Sequence, residues 1–237
     1  MKVVFNSINR LLDASFGLRI QPSSNARLRR TREALLNNKR CELLVDVGAN
    51  DGDWAARIRK VGFKGLIESF EPTEIFEKLK MRAKDDEKWR VNRLALSDFS
   101  GVAKIHLGSN DFLSSSLMAP TGVLEANPGI NFEDSVSVDV STLDSHFSSL
   151  RERNIYLKLD VQGSEFSILK GGKNFLQHCF AIEFESAIYP QYEGEKTHYF
   201  IANWLQERGF VPKQVVVTHW DSVLQTIAID SIFVRGE

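Results

Sequence analysis

The sequence predicts an α/β fold, a mostly parallel sheet with helices on both faces, built as one large domain. Three observations predict it. From Leu43 onward, apolar runs of strand length alternate with amphipathic stretches of helix length, the pattern of parallel strands joined by crossover helices. At 237 residues and 43% hydrophobic content, the chain can bury one substantial core. The first apolar run, LLVDV, carries an acid next to its end and enters a loop, GANDG, at the position where open α/β sheets hold ligands.

The elements follow in order. LLVDV is the first strand, WAARIRKVG the first helix and GLIESFEP the second strand. EIFEKLKMRAKDD is a helix whose charges recur at i, i+4 on a solvent face, and WRVNRLAL is a third strand. From about residue 101 to 139 the rhythm breaks: Gly, Ser, Asn and Pro are dense, and only VAKIHL and SVSVDV read as short strands, so this region is an insertion. STLDSHFSSL then reads as a helix opened by a Ser/Thr cap, NIYLKLDV as a fourth strand, EFSILKGGKNFL as a helix and CFAIEFES as a fifth strand. A helix over HYFIANWLQERGF precedes KQVVVTHW and LQTIAIDSIFVR, which are close enough to pair as an antiparallel hairpin-like ending.

Charge divides the chain. The first 42 residues carry nine Lys/Arg against three Asp/Glu, which leaves 21 positive and 28 negative side chains for the rest. Residues 1–42 therefore read as a basic, helical N-terminal extension and residues 43–237 as the main domain. Val4, Ile8, Leu11 and Leu12 share a helical face that can dock on its own domain, on a second subunit or on a membrane surface, with docking on protein the default. No run approaches the roughly 20 apolar residues of a membrane span, and no signal-peptide core is present, so a cytoplasmic protein is expected. Cys41 and Cys179 lie far apart without metal-ligand spacing and read as reduced thiols.

At the end of a buried parallel strand, the strand's carboxyl end and the next helix's free N–H groups face one crevice. The loop Gly48-Ala49-Asn50-Asp51-Gly52 lacks the G-x-G-x-x-G spacing of a dinucleotide site, which argues against NAD. It also carries Asp46 and Asp51, which would repel a pyrophosphate. S-adenosylmethionine, with an ammonium and a sulfonium and no phosphate, suits it better. Glu71-Pro72 puts a carboxylate at the second strand's tip, where ribose hydroxyls are gripped in such folds. Ala95 and Leu96 supply apolar walls for an adenine, with Ser97 or Asp98 placed to meet its amine. Singly, each acid has an ordinary reading as a cap, surface or turn residue; at successive strand tips they converge.

VDVGANDG, FEP, Ala-Leu-Ser-Asp, Ser115-Ser116-Leu117, Thr142-Leu143-Asp144, KLDVQGSE and Asp230-Ser231-Ile232-Phe233-Val234 together resemble the FkbM family of S-adenosylmethionine-dependent methyltransferases, over about residues 43 to 234. The resemblance implies a class I methyltransferase, Rossmann-like sheet of order 3-2-1-4-5-7-6 with strand 7 antiparallel. It also implies O-methylation of a hydroxyl on a sugar, glycan or natural product. Asn50 stands where the wider superfamily often has glycine, and the FkbM pattern tolerates it.

Methyl transfer is an in-line displacement, so much of its acceleration comes from holding acceptor and methyl in line. Asp160, at the fourth strand's tip, is the leading choice for general base or acceptor-orienting group and also faces the cofactor, with Glu165 in support. Glu165 also has an ordinary reading, as an acid in a helix's first turn. Lys158 should share a strand face with Asp160 and hold it ionised. Glu185 near the fifth strand's tip, His219 in the final loop, and Ser115 and Ser116 in the insertion are candidates for the acceptor side. Two carboxylates without a third ligand do not make a metal site, so none is expected. No aromatic-basic stripe suits a nucleic acid. A peptide nitrogen acceptor, or a protein that binds the cofactor without turnover, remain the rival readings.

Overall fold

The structure is a computed structural model describing residues 24–38, 41–121, 129–132, 134–151, 154–220 and 226–236, with the backbone alone at 24, 25, 219 and 220. Helix α1 (Ser24–Asn38) is followed by β1 (Leu43–Val47), α2 (Asp53–Lys60), β2 (Leu66–Phe70), α3 (Phe76–Ala83) and β3 (Trp89–Asn92). Next come β4 (Ala95–Leu96), β5 (Gly101–Leu107), β6 (Asp134–Ser141), α4 (Leu143–His146), β7 (Ile155–Leu159) and α5 (Glu165–Lys170). The chain then forms β8 (Cys179–Ala187), α6 (His198–Gln206), β9 (Phe210–Trp220) and β10 (Thr226–Arg235).

Seven strands form one sheet in the order β3-β2-β1-β7-β8-β10-β9. Counted within that sheet, the order is 3-2-1-4-5-7-6. β1, β2, β3, β7 and β8 pair in parallel, and β10 runs antiparallel between β8 and β9. β1 and β7 are buried at every position, which explains why their sequences, LLVDV and IYLKL, are near-continuous apolar runs broken only by Asp46 and Lys158.

Alternation along the strands divides the core in two. Leu43, Val45, Val47, Ile155, Leu157 and Leu159 pack on the face covered by α4, α5 and α6, through Leu143, Ile168, Leu169, Ile201 and Leu205. Leu44, Ile67 and Tyr156 pack on the opposite face, with Ala55 and Ile58 of α2 and Leu79 of α3. α1 belongs to this second layer: Leu28, Leu35 and Leu36 join the same cluster, beside Val216 of β9 and Ile232 of β10, while Arg27, Arg29 and Arg30 are exposed. The helical part of the basic N-terminal segment thus docks on its own domain. The face of Val4, Ile8, Leu11 and Leu12 lies outside the described residues. Among the described residues, no helix is long and apolar enough to cross a membrane.

The single third strand expected over WRVNRLAL is two. β3 stops at Asn92, whose side-chain amide donates to Glu68 Oε1 (3.2 Å), and two residues later β4 pairs in parallel with β6. β4, β6 and β5 form a second, three-stranded sheet, with β5 and β6 antiparallel, so the insertion's two expected strands pair with each other. Several helices are shorter than their patterns predict, α4 and α5 most of all. α4 covers only Leu143–His146, with Thr142 Oγ1 accepting from the Ser145 N–H (2.9 Å). α5 ends before Gly171, packed so closely on β4's exit that a Cβ there would lie 2.2 Å from the Ser97 carbonyl oxygen.

Candidate active site

The loop after β1 is held by its own backbone. The Gly48 and Ala49 N–H groups both donate to the Phe70 carbonyl (3.1 and 3.0 Å), and Gly52 N–H donates to Ala49 O. Gly48 has φ 75°, and a Cβ there would sit 1.8 Å from the Asp160 carbonyl oxygen, so only glycine fits. Asn50 also takes the left-handed region, φ 47°, which asparagine tolerates better than most residues. This accounts for its standing where a glycine is common. Its side-chain oxygen accepts from Asp51 N–H (2.8 Å) and its amide donates to the Asp111 carbonyl (3.0 Å), tying the loop to the insertion.

A crevice of about 680 Å³, counted out to its mouth, opens over this loop. Gly48, Asn50, Glu71, Pro72 and Asp160 line it, as the sequence led us to expect. Its apolar wall is made by Leu94, Ala95, Leu96, Ile105 and Leu117. Glu71 is 6% exposed and its carboxylate accepts from Asn50 N–H (3.0 Å), Thr73 N–H (2.9 Å) and Thr73 Oγ1 (2.6 Å). Burial pushes its carboxyl up, and these donors oppose that shift. Glu71 therefore fastens the loop as well as facing the crevice.

Several expected cofactor residues stand behind the wall. Ala49 is buried, and Gly52 packs against Leu79 and Trp89. Asp98 turns away to Lys170 (2.5 Å), which holds its carboxyl below the usual range, and Ser97 Oγ leans on Asp98 (3.4 Å). The strand break after Asn92 redirects this corner, so Ser97 and Asp98 are not among the crevice-lining residues. Asp46 is fully buried and salt-bridged to Lys158 (3.0 Å), outside the crevice lining. Asp51 pairs with Arg82 (2.6 Å) on the outer side. Neither acid faces the ligand space directly.

Lys158 is the hub of the charged groups. Its Nζ reaches Asp46 (3.0 Å), Asp160 (3.4 Å) and the Gly48 carbonyl (3.3 Å). The pairing with Asp160 read from the sequence is present, but Asp46 is the nearer partner. Burial opposes the charge on Lys158, and the two carboxylates outweigh it and hold its pKa above the ordinary value. Asp160 is the accessible member: its side chain is 44% exposed and accepts from Gln162 Nε2 (3.3 Å). Glu165, 2% exposed, accepts from the Val161 and Gly163 N–H groups (3.1 and 3.3 Å) and shapes the turn that presents Asp160.

A second cavity, about 1120 Å³ out to its mouth, joins the first through the shared residues Leu113, Asp160 and Gln162. Glu185 lines it, accepting from Gln162 Nε2 (3.3 Å), together with Glu165, Tyr192 and Glu195. Ser115 and Ser116 lie on the cofactor side instead, and their hydroxyls are engaged within the chain: Ser115 Oγ accepts from Gly108 N–H (3.1 Å), and Ser116 Oγ donates to the Gln162 carbonyl (2.7 Å). They anchor the insertion. His219 falls within β9 and not in a loop, and its side chain lies outside the described residues. Gln162, at φ 54°, links Asp160, Glu185 and Tyr192, and nothing in the sequence marked its amide as a connector. Among the described residues, no group of three or more His, Cys, Asp or Glu side chains is arranged to hold a metal ion.

The buried acids predict a pH dependence of stability. Burial first, then nearby carboxylates, pushes Glu165 and Asp230 each up to about 8. A carboxyl raised on folding favours the folded state fully below its unfolded pKa, about 4, and that contribution is lost as pH rises through about 8. The thermal midpoint should therefore fall between pH 5 and 8.5. Glu165→Gln, which keeps an oxygen acceptor for the two N–H groups, should flatten that fall; an unchanged slope would assign it to other groups.

The crevice suits S-adenosylmethionine. Its lining carries the carboxylates of Glu71 and Asp160 and, among the described residues, no Lys, Arg or His. Ser164, 3% exposed, lines it with a hydroxyl that has no hydrogen-bond partner and is left for a ligand. Gly48 keeps the floor open to close approach.

Residues 46–212 match the family described as Methyltransferase FkbM domain. The 2-O-methyltransferase NoeI of Sinorhizobium fredii (strain NBRC 101917 / NGR234) is 28% identical over 197 residues, covering 78% of this chain and 79% of that protein. In fold, the chain is similar to the magnesium protoporphyrin IX methyltransferase ChlM of Synechocystis PCC 6803 with bound SAM (TM-score 0.50, 11% identity, 99% and 96% of the two chains). It is equally similar to an rRNA methylase of Streptococcus thermophilus (TM-score 0.50, 10% identity, 92% and 99%).

Proposed function

From the premise that this chain belongs to the FkbM methyltransferase family, we propose that it transfers the methyl group of S-adenosylmethionine to a hydroxyl oxygen of a sugar, glycan or natural product. The observation that carries the reading is the meeting of two cavities at Asp160: a phosphate-averse crevice on one side and a roomy polar pocket on the other. The likeness to a 2-O-methyltransferase supports oxygen as the acceptor atom.

When bound, the cofactor supplies a methyl already activated by its sulfonium. The chain's task is then positioning, exclusion of water and removal of one proton. Glu71 accepts from the ribose hydroxyls with the carboxylate lone pairs left over from Thr73 and Asn50. The apolar wall from Leu94 to Leu96 takes the adenine. Asp160 faces the acceptor hydroxyl, orients it and accepts its proton, while Lys158 behind it balances the charge. Glu165 holds the turn, and Glu185 and Tyr192 offer hydrogen bonds to a polyhydroxyl acceptor. The insertion covers the junction with Leu113.

Calorimetry with adenosylmethionine, adenosylhomocysteine and NAD tests the cofactor assignment: binding of the first two at micromolar levels and none of NAD is expected, and the reverse order would end it. Glu71→Ala should raise the adenosylhomocysteine dissociation constant about 30- to 150-fold, the loss of a charged acceptor worth about 2–3 kcal/mol, with the chain still folded. Unchanged affinity would remove its ribose role. A screen of glycans and nucleotide sugars with labelled donor identifies the acceptor.

A further inference from the structure

The charged groups behind Asp160 continue away from the site, to the N-terminal helix. Asp46, Lys158 and Glu183 are register partners on β1, β7 and β8, an acid–base–acid row across three parallel strands. Arg32 of α1 completes it: its guanidinium donates to both Glu183 carboxylate oxygens, through Nε at 2.7 Å and through Nη2. Tyr156 Oη donates to the same carboxylate (2.5 Å). Arg32 is 9% exposed and Glu183 5%, so neither charge has water to fall back on.

Trp54, two residues after Gly52, joins the two ends of this row. The Arg32 guanidinium lies 5.0 Å and the Lys158 ammonium 5.4 Å from its ring centroid. Both cations are within the roughly 6 Å at which an aromatic face attracts them. Arg32 lies outside the segment that matches the family, residues 46–212, so nothing in the family match accounts for it.

We propose that Arg32 and Trp54 are positioning residues of the methyl-transfer site, which act by fixing the Lys158 ammonium that in turn holds the Gly48 carbonyl and Asp160. Arg32 neutralises Glu183 and keeps that carboxylate from drawing Lys158 along the row. Trp54 covers one side of the ammonium, which donates to the Gly48 carbonyl and is held by Asp46 and Asp160 as ion pairs. The catalytic geometry of the domain is thereby completed by a helix outside the family segment. The inference rests on reading Asp160 as the group facing the acceptor.

The test uses the full chain, ¹⁵N-labelled at lysine, and needs no methyl acceptor. Lys158→Met assigns the Lys158 ammonium resonance, which should be protected from hydrogen exchange in the wild type. Trp54→Leu should speed that exchange by about tenfold or more and raise the adenosylhomocysteine dissociation constant about five- to tenfold, while Trp54→Phe, which keeps an aromatic face, should restore both to within about twofold. Arg32→Met, which leaves Glu183 free to draw the ammonium, should also speed the exchange, and Arg32→Met/Glu183→Met, which removes both buried charges together, the change a fold most often tolerates, should restore it to within about twofold. Ammonium exchange and cofactor affinity left at wild-type levels in Trp54→Leu, or exchange as fast in the folded double variant as in Trp54→Leu, would overturn the proposal. If the wild type binds no adenosylhomocysteine, the functional reading fails, and the exchange rates alone decide whether Arg32 and Trp54 fix Lys158.

Discussion

Gly48→Ala is expected to abolish measurable cofactor binding and to destabilise the fold by about 3–5 kcal/mol, the sum of a left-handed non-glycine residue and an overpacked contact. The added methyl would sit 1.8 Å from the Asp160 carbonyl oxygen and 2.8 Å from its carbon, both backbone atoms that cannot swing aside as a side chain would. Relief requires β1 and β7 to separate at their tips, where Asp160 N–H donates to Val47 O (3.1 Å). That movement would pull Asp160 away from Lys158 and widen the crevice floor. Urea unfolding and calorimetry with adenosylhomocysteine measure the two effects separately. Wild-type values in both would mean that the loop is not the rigid cradle described here.

Asp160→Asn is expected to lower turnover by about a hundredfold, the usual range for losing a positioned proton acceptor, and to change cofactor affinity far less. Asparagine keeps the size of the side chain and an oxygen for Gln162 Nε2. Lys158 retains Asp46 at 3.0 Å, so the buried ammonium is not left unpaired and the fold should survive. What is lost is the negative charge beside the acceptor. Labelled methyl incorporation, measured once the acceptor is identified, separates the outcomes. Unchanged turnover would move the proton acceptor elsewhere, with Glu185, on the other side of Gln162, the next candidate.

The fold was legible because parallel strands buried on both faces leave long apolar runs, and the helices between them carry amphipathic periods. The site was legible where chemistry and position coincide on one residue: Glu71 follows β2 directly, and Asp160 follows β7 directly. It was less legible where a local break redirects the chain. Asn92 ends β3 four residues earlier than the apolar pattern suggests, and that shift takes Ser97 and Asp98 out of the crevice wall. Ser115 and Ser116 look like free hydroxyls in one dimension, but their partners, Gly108 and Gln162, are fixed by tertiary contacts that composition does not encode. Likewise, the first 42 residues read as an extension because charge, and not the apolar face of Leu28, Leu35 and Leu36, dominates their composition.

One tie couples the two cavities. The Asn50 amide is bonded to the Asp111 carbonyl, and the same stretch of insertion is fastened at Ser114 by Tyr192 Oη (2.9 Å), on the rim of the other cavity. Residues 110–114 therefore border both cavities, and a displacement of this stretch would alter the two together.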